Sequence, residues 1–159
     1  RLEQLGPKQH PVEDFEVVQK PSQEQITKLA LLKAYFELVS DVEVRNELFV
    51  FTGQGAFGIN TGESIGIHRE MLEVGFDEAI QTFTHEMAHN DTMDHGLYFV
   101  KMEEALFTAT SDRLYAIAQK AMEGKPLTEM EKTLLSIEGR WDELLKKPDQ
   151  IESETGQTR

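Results

Sequence analysis

The run Ile80-Gln81-Thr82-Phe83-Thr84-His85-Glu86-Met87-Ala88-His89, followed by His95, organises the reading of this chain. Its pattern is H-E-x-x-H-x-x-x-x-x-H. Two histidines four apart lie on one face of a helix, so both imidazoles can reach one ion. Glu86 is displaced around the helix, near that ion but not on it. Ile80, Phe83 and Met87 fall at i, i+3 and i+7 and form an apolar stripe on the other side, so one face packs and the other presents ligands. This layout suits Zn²⁺, with the histidines holding the ion and the carboxylate taking a proton from metal-bound water. The bland alternative, incidental His and Glu on an exposed helix, does not explain the apolar stripe.

A catalytic zinc site usually needs a third protein ligand. His95 is the first candidate, because a bend at Asn90-Asp91-Thr92 would swing it back to the ion. Asp91 and Asp94 offer oxygen donors, and Glu103 and Glu104 on the next helix compete. Candidate oxyanion donors are Tyr98, His68 and Arg69.

Length and composition frame the site. The 159 residues suffice for one domain with a core, and 39% hydrophobic with 28% charged residues describes a globular chain. No apolar run approaches a membrane span, and no signal-peptide pattern is present. The absence of cysteine excludes disulfides, thiolate metal sites and a cysteine nucleophile, and suits a reducing cytoplasm. The net charge of −13 repels phosphate backbones and anionic membrane surfaces, so no nucleic acid or membrane partner is expected. Peptides or unfolded proteins are the expected partners. The chain begins at Arg1, and a piece of a larger multidomain protein is the expectation.

Residues 1–22, with Pro7, Pro11 and Pro21, read as an extended lead-in or linker. A single domain is expected over 23–147 and a disordered tail over 148–159. Ser22 can cap a helix to about Ser40, with Ile26, Leu29, Ala30, Lys33, Phe36 and Leu38 as its stripe. Strands are expected at 48–52, 56–60 and 64–68, with Thr61-Gly62 as a turn. The segment Gly53-Gln54-Gly55-Ala56-Phe57-Gly58 matches G-x-G-x-x-G, but no βαβ unit surrounds it, and turns explain the glycines. Asp77 is expected to cap the motif helix from 78 to 91. A long helix follows from Gly96 to Met122, with Phe99, Met102, Leu106, Thr110, Leu114, Ile117 and Ala121 as its stripe. Thr128 and Glu131 then make a capping box for a last helix to about Lys147.

The stretch from Ile80 to His89, with Asp94-His95-Gly96 and Phe99, resembles the SprT-like and related WLM metallopeptidases. Their pattern is H-E-x-x-H, five intervening residues, then His-Gly and an aromatic residue. Ile65-Gly66-Ile67 and Arg69-Glu70-Met71-Leu72 are similar to the strand and short helix before the motif there. The resemblance covers about residues 48–107. It implies an α+β, zincin-like fold, with a small β-sheet or hairpin packed on an active-site helix and a helix-rich C-terminal half. It also implies Zn²⁺ on His85, His89 and His95, and Glu86 as general base in peptide-bond hydrolysis. Minigluzincins are the neighbouring family; in gluzincin-type peptidases a glutamate on the following helix is the third ligand, which would be Glu103 or Glu104 here. In zinc peptidases a strand beside the motif helix commonly holds substrate by edge pairing, a role segment 56–68 can fill.

Two departures limit the resemblance. The spacing also fits metzincins, but Thr92 stands at their glycine position, and Met102 and Met122 fall in helical pattern rather than a Met-turn. Several members of the resembled family act on DNA-bound proteins through basic segments, and nothing basic appears here. The rival reading is a non-catalytic metal-binding or protein-interaction domain of a larger protein. A third is a latent peptidase with Val12–Val18 across its groove and His10 on the metal.

Overall fold

A computed structural model describes residues 15–91 and 97–146. The fold is α+β. In chain order it runs β1 (Phe15–Val17), α1 (Gln23–Ser40), β2 (Glu47–Gly53), β3 (Gly58–Asn60), β4 (Ser64–His68), a 3₁₀ turn (Arg69–Leu72), α2 (Phe76–Ala88), α3 (Leu97–Glu123) and α4 (Glu129–Leu145). The strands form one mixed sheet in the order β1-β2-β4-β3. β1 is antiparallel to β2, β2 is parallel to β4, and β3 is antiparallel to β4.

Strand register sorts the sheet into two faces. Val50, Ile65 and Ile67 point at the helices and are buried with Leu32, Phe36, Phe83 and Trp141. Phe15, Phe49, Phe51 and His68 lie on the other face, where Phe15 packs on both Phe49 and Phe51. Gly66 permits this, since a Cβ there would meet the Phe49 ring at 2.5 Å. No helix follows the G-x-G-x-x-G segment; Gly53 and Gly55 turn the chain with positive φ, and Gly58 opens β3. The parallel pair β2 and β4 is therefore bridged by a strand rather than a crossover helix.

The capping signals act as expected. Ser22 and Gln25 form a reciprocal box at α1, and Thr128 and Glu131 form one at α4. The buried face of α1 differs from the expected stripe. Leu29, Leu32, Tyr35, Phe36 and Val39 are buried with Lys28, whereas Ile26 is exposed. Apolar residues surround this helix, so periodicity could not choose its inner face. Lys28 is buried because its Nζ donates to the Leu72 carbonyl and sits 5.4 Å over the Trp141 ring. Burial pushes its pKa down.

Residues 15–17, within the expected lead-in, form an edge strand of the sheet. That edge is opposite β3, so Phe15–Val17 does not lie across the groove beside the motif helix, and the latent arrangement is corrected for these residues. His10 and residues 12–14 lie outside the described residues, as do 148–159. Among the described residues, no helix is long and apolar enough to cross a membrane.

Candidate active site

Helix α2 starts earlier than expected. Gly75 is its N-cap, with no side-chain cap bond, and Asp77 lies in the first turn, where its charge suits the helix dipole. The helix also ends earlier, at Ala88, because its last turn tightens. His89, Asn90 and Asp91 donate backbone N–H bonds three residues back, to Glu86, Met87 and Ala88. His89 is thus the C-cap rather than a mid-helix residue. Its ring stands 4.9 Å from that of His85, at 82°. The motif spacing brings the two imidazoles together as expected.

Glu86 is 6% exposed. Its position depends on β3. A Cβ on Gly58 would stand 2.8 Å from both Cγ and Oε2 of Glu86 and 3.0 Å from Thr82 Cγ2. Only a glycine lets the strand lie this close over the carboxylate. Burial, the largest influence, pushes the Glu86 pKa up to about 7; His85 opposes the rise and Glu103 adds to it.

Glu103 arrives from α3, with its Oε2 2.8 Å from His85 Nδ1. A carboxylate only accepts, so Nδ1 carries the proton in this bond. Burial disfavours the charged imidazole, but the Glu103 hydrogen bond and the charges of Glu86 and Glu103 outweigh it and raise the His85 pKa. Of the two competing glutamates, Glu103 is brought to the pair and Glu104 is exposed. His95 and Asp94 lie outside the described residues.

Among the described residues, no group of three or more His, Asp or Glu side chains is arranged to hold a metal ion. The donor chemistry nevertheless suits zinc. Two imidazoles are adjacent at one helix end, a carboxylate is buried in the turn between them, and another carboxylate meets the first ring. Zn²⁺ would be held by His85 and His89, with His95 or Glu103 as the third donor.

His68 does not belong to this site. Its Nδ1 accepts from the Glu70 N–H at 3.0 Å and its Nε2 donates to the Gly53 carbonyl at 2.9 Å, on the sheet face away from α2. It caps the 3₁₀ turn instead of serving as an oxyanion donor. Arg69 is exposed in that turn, and the side chain of Tyr98 is outside what the structure describes.

The outer edge of β3 borders the carboxylate. Phe57 accepts from His68 N–H and Thr61 donates to the Ser64 carbonyl, so alternate residues face β4. The backbone groups of Gly58 and Asn60 therefore point to the open edge. Among the described residues no strand pairs there. Reading by motif missed the part played by Gly58 and Asn60. A glycine and a buried Asn on the inward side of a short strand were the available signals.

No family model, curated protein or solved structure matches this chain.

Proposed function

We propose that the chain is a zinc-dependent metallopeptidase of zincin type, in which water attacks a peptide bond with Glu86 as general base. One observation carries the reading: Glu86 is buried beneath an open strand edge, in the helical turn between two adjacent imidazoles. Zn²⁺ on His85 and His89 with His95, or with Glu103 in its place, would supply a Lewis acid and make water acidic enough to attack near neutral pH.

The chain's own residues do the rest. Glu86 accepts the proton of the attacking water and returns it to the leaving amine. Its raised proton affinity, from burial, suits a group that must first take and then give a proton near neutrality. With His95 as the third ligand, Glu103 holds the His85 ring in one tautomer through Nδ1. An extended peptide pairs with the backbone of Gly58 and Asn60, laying its scissile bond over the carboxylate. The substrate class is peptides or unfolded protein. The acidic charge favours basic segments over nucleic acid. A cysteine-free chain suits a cytoplasmic setting.

The test is metal analysis of protein purified without chelator, followed by digestion of unfolded casein. One zinc per chain and cleavage are expected. Glu86→Gln should keep the zinc and lose about 10²–10⁴-fold in rate. Full activity in Glu86→Gln would remove the general-base role. Stoichiometric zinc without cleavage would favour the second reading, a non-catalytic metal-binding or protein-interaction domain of a larger protein. On its side stand Tyr115 and Met122, 70% and 87% exposed on α3.

A further inference from the structure

We infer that Asn60 is a positioning residue: with Asn90 and Asn46 it forms an amide clasp that ties the last turn of α2 to the open edge of β3, setting where Glu86 and His89 stand relative to a bound peptide. The inference rests on the peptidase reading.

Asn60 is buried on the helix side of β3. Its Nδ2 donates to the Glu86 carbonyl at 2.7 Å and to Asn90 Oδ1 at 2.8 Å, and its Oδ1 accepts from the Gly62 N–H at 2.7 Å. Both donor hydrogens and the oxygen are thus used. Asn90 and Asn46 make a reciprocal pair, each Nδ2 donating to the other's Oδ1 at 2.9 Å. Asn46 immediately precedes β2. One network therefore joins the start of β2, the end of β3 and the end of α2.

An ordinary helix cap is local in sequence. Here the carbonyl is reached from a residue 26 positions upstream. A helix leaves its last carbonyls without intrahelical partners, and Glu86 O is one that a local three-residue bond from His89 satisfies only in part. Water could hydrate that carbonyl, but water would not fix its distance from β3. The capped peptide unit belongs to the proposed general base, and three residues later the chain carries a proposed ligand. Asn60 also faces the open edge with its backbone, so one residue touches the helix turn and the peptide track together. Aspartate there would lose both donors and set a charge against two oxygens.

The test compares Asn60→Ala and Asn60→Asp with Asn46→Ala, the outer member of the clasp, in the full chain. In metal-free protein, amide exchange at His89, Asn90 and Asp91 is expected to accelerate about tenfold or more in the Asn60 variants, and less in Asn46→Ala. Zinc affinity, read by chelator competition, should fall about 10–100-fold, and kcat should fall by a similar factor with KM little changed. Where Asn60→Ala does not fold, Asn60→Ser, which keeps one donor, carries the same measurements. Wild-type exchange at 89–91 with wild-type zinc affinity, beside a lowered melting midpoint, would make Asn60 a residue of the fold alone and overturn the inference. A wild-type protein that binds zinc without turnover would sink the peptidase reading only, and the exchange and affinity measurements would still decide the clasp.

Discussion

Helices α2 and α3 both reach the candidate site, but they are held very differently. α2 has 13 residues, of which eight are buried, including Phe83 and Ala88 at no measurable exposure. α3 has 27 residues, and among its described side chains only Ile117 is buried. Leu106 and Ala109 are half-buried against the core. α2 is wedged between the sheet and the other helices, so Glu86 inherits the rigidity of a close-packed interior, while His85 is half-buried at its surface. α3 delivers Glu103, itself half-buried, from a helix whose described side chains are mostly shallow. The lesson is a division of labour: the imidazole pair and the proton acceptor sit on the deeply packed element, and the group that orients His85 comes from the loosely packed one.

The largest expected effect lies on the α2 side. Phe83→Ala should cost about 3–5 kcal/mol of stability, while Ile117→Ala on α3 should fall near the lower end, about 2 kcal/mol. Denaturant titration of both variants decides this, and an equal or larger loss at Ile117 would break the contrast. Next is Gly58→Ala. The added methyl meets Glu86 at 2.8 Å, so the strand or the carboxylate must shift. About 1–3 kcal/mol of stability and at least tenfold in peptidase rate should be lost. A fully active Gly58→Ala would show that the cover over Glu86 is slack.

Glu103→Gln comes third. It removes a charge but leaves a carbonyl to accept from His85 Nδ1, so zinc affinity should fall by about tenfold with little change in stability. His95→Ala, by contrast, should lose far more affinity if His95 is the third ligand. Measured side by side, a greater loss in Glu103→Gln would point to the gluzincin-type arrangement.

The smallest effects are pH-dependent, with opposite signs at two carboxyls of α4, one facing α1 and the other tied to α3. Glu138 on α4 lies under Tyr35 Oη at 3.3 Å, and its pKa is raised, mainly by burial and then by Asp77. Its protonated form favours folding, so the stability it contributes is present below the ordinary carboxylate value of 4.5 and is lost as pH rises through the raised value. Glu138→Gln should therefore stabilise the fold at neutral pH by less than about 1 kcal/mol, seen as a higher melting temperature, and do nothing in acid. Glu131 is the tie between α4 and α3, holding Lys120 at 2.9 Å and closing the Thr128 box. The Lys120 hydrogen bond, followed by the Thr128 backbone bond, lowers its pKa, so its contribution is present above 4.5 and is lost as pH falls through the lowered value. Glu131→Gln should lower the melting temperature at neutral pH and lose that effect in acid. Thermal melts of both variants across pH would show the crossing.

Much of the architecture was legible locally. The Ser22 cap and the Thr128–Glu131 box announce α1 and α4 because each joins residues three apart; the structure completes the first into a box with Gln25. The strand at 64–68 was legible from its own residues, whereas the short turn after it was indicated only by the resemblance, and its His68 cap came from the structure. The ends of α2 differ from expectation by two or three residues, since Gly75 gives no side-chain signal and the final turn tightens where Asn60 binds it.

By itself the sequence determined the pairing of His85 with His89 and the offset of Glu86, because helical geometry turns a spacing of four into adjacency whatever surrounds it. It also determined the α+β class and the face of α2 that packs. Only the tertiary structure decided that Glu86 is sealed under Gly58, that Glu103 rather than Glu104 meets His85, that His68 is spent on the backbone, and that Asn60 binds the end of the motif helix. Each of these joins residues more than a dozen positions apart, and no local period or cap encodes which strand lies over which turn. That choice is made by the packing of the whole core.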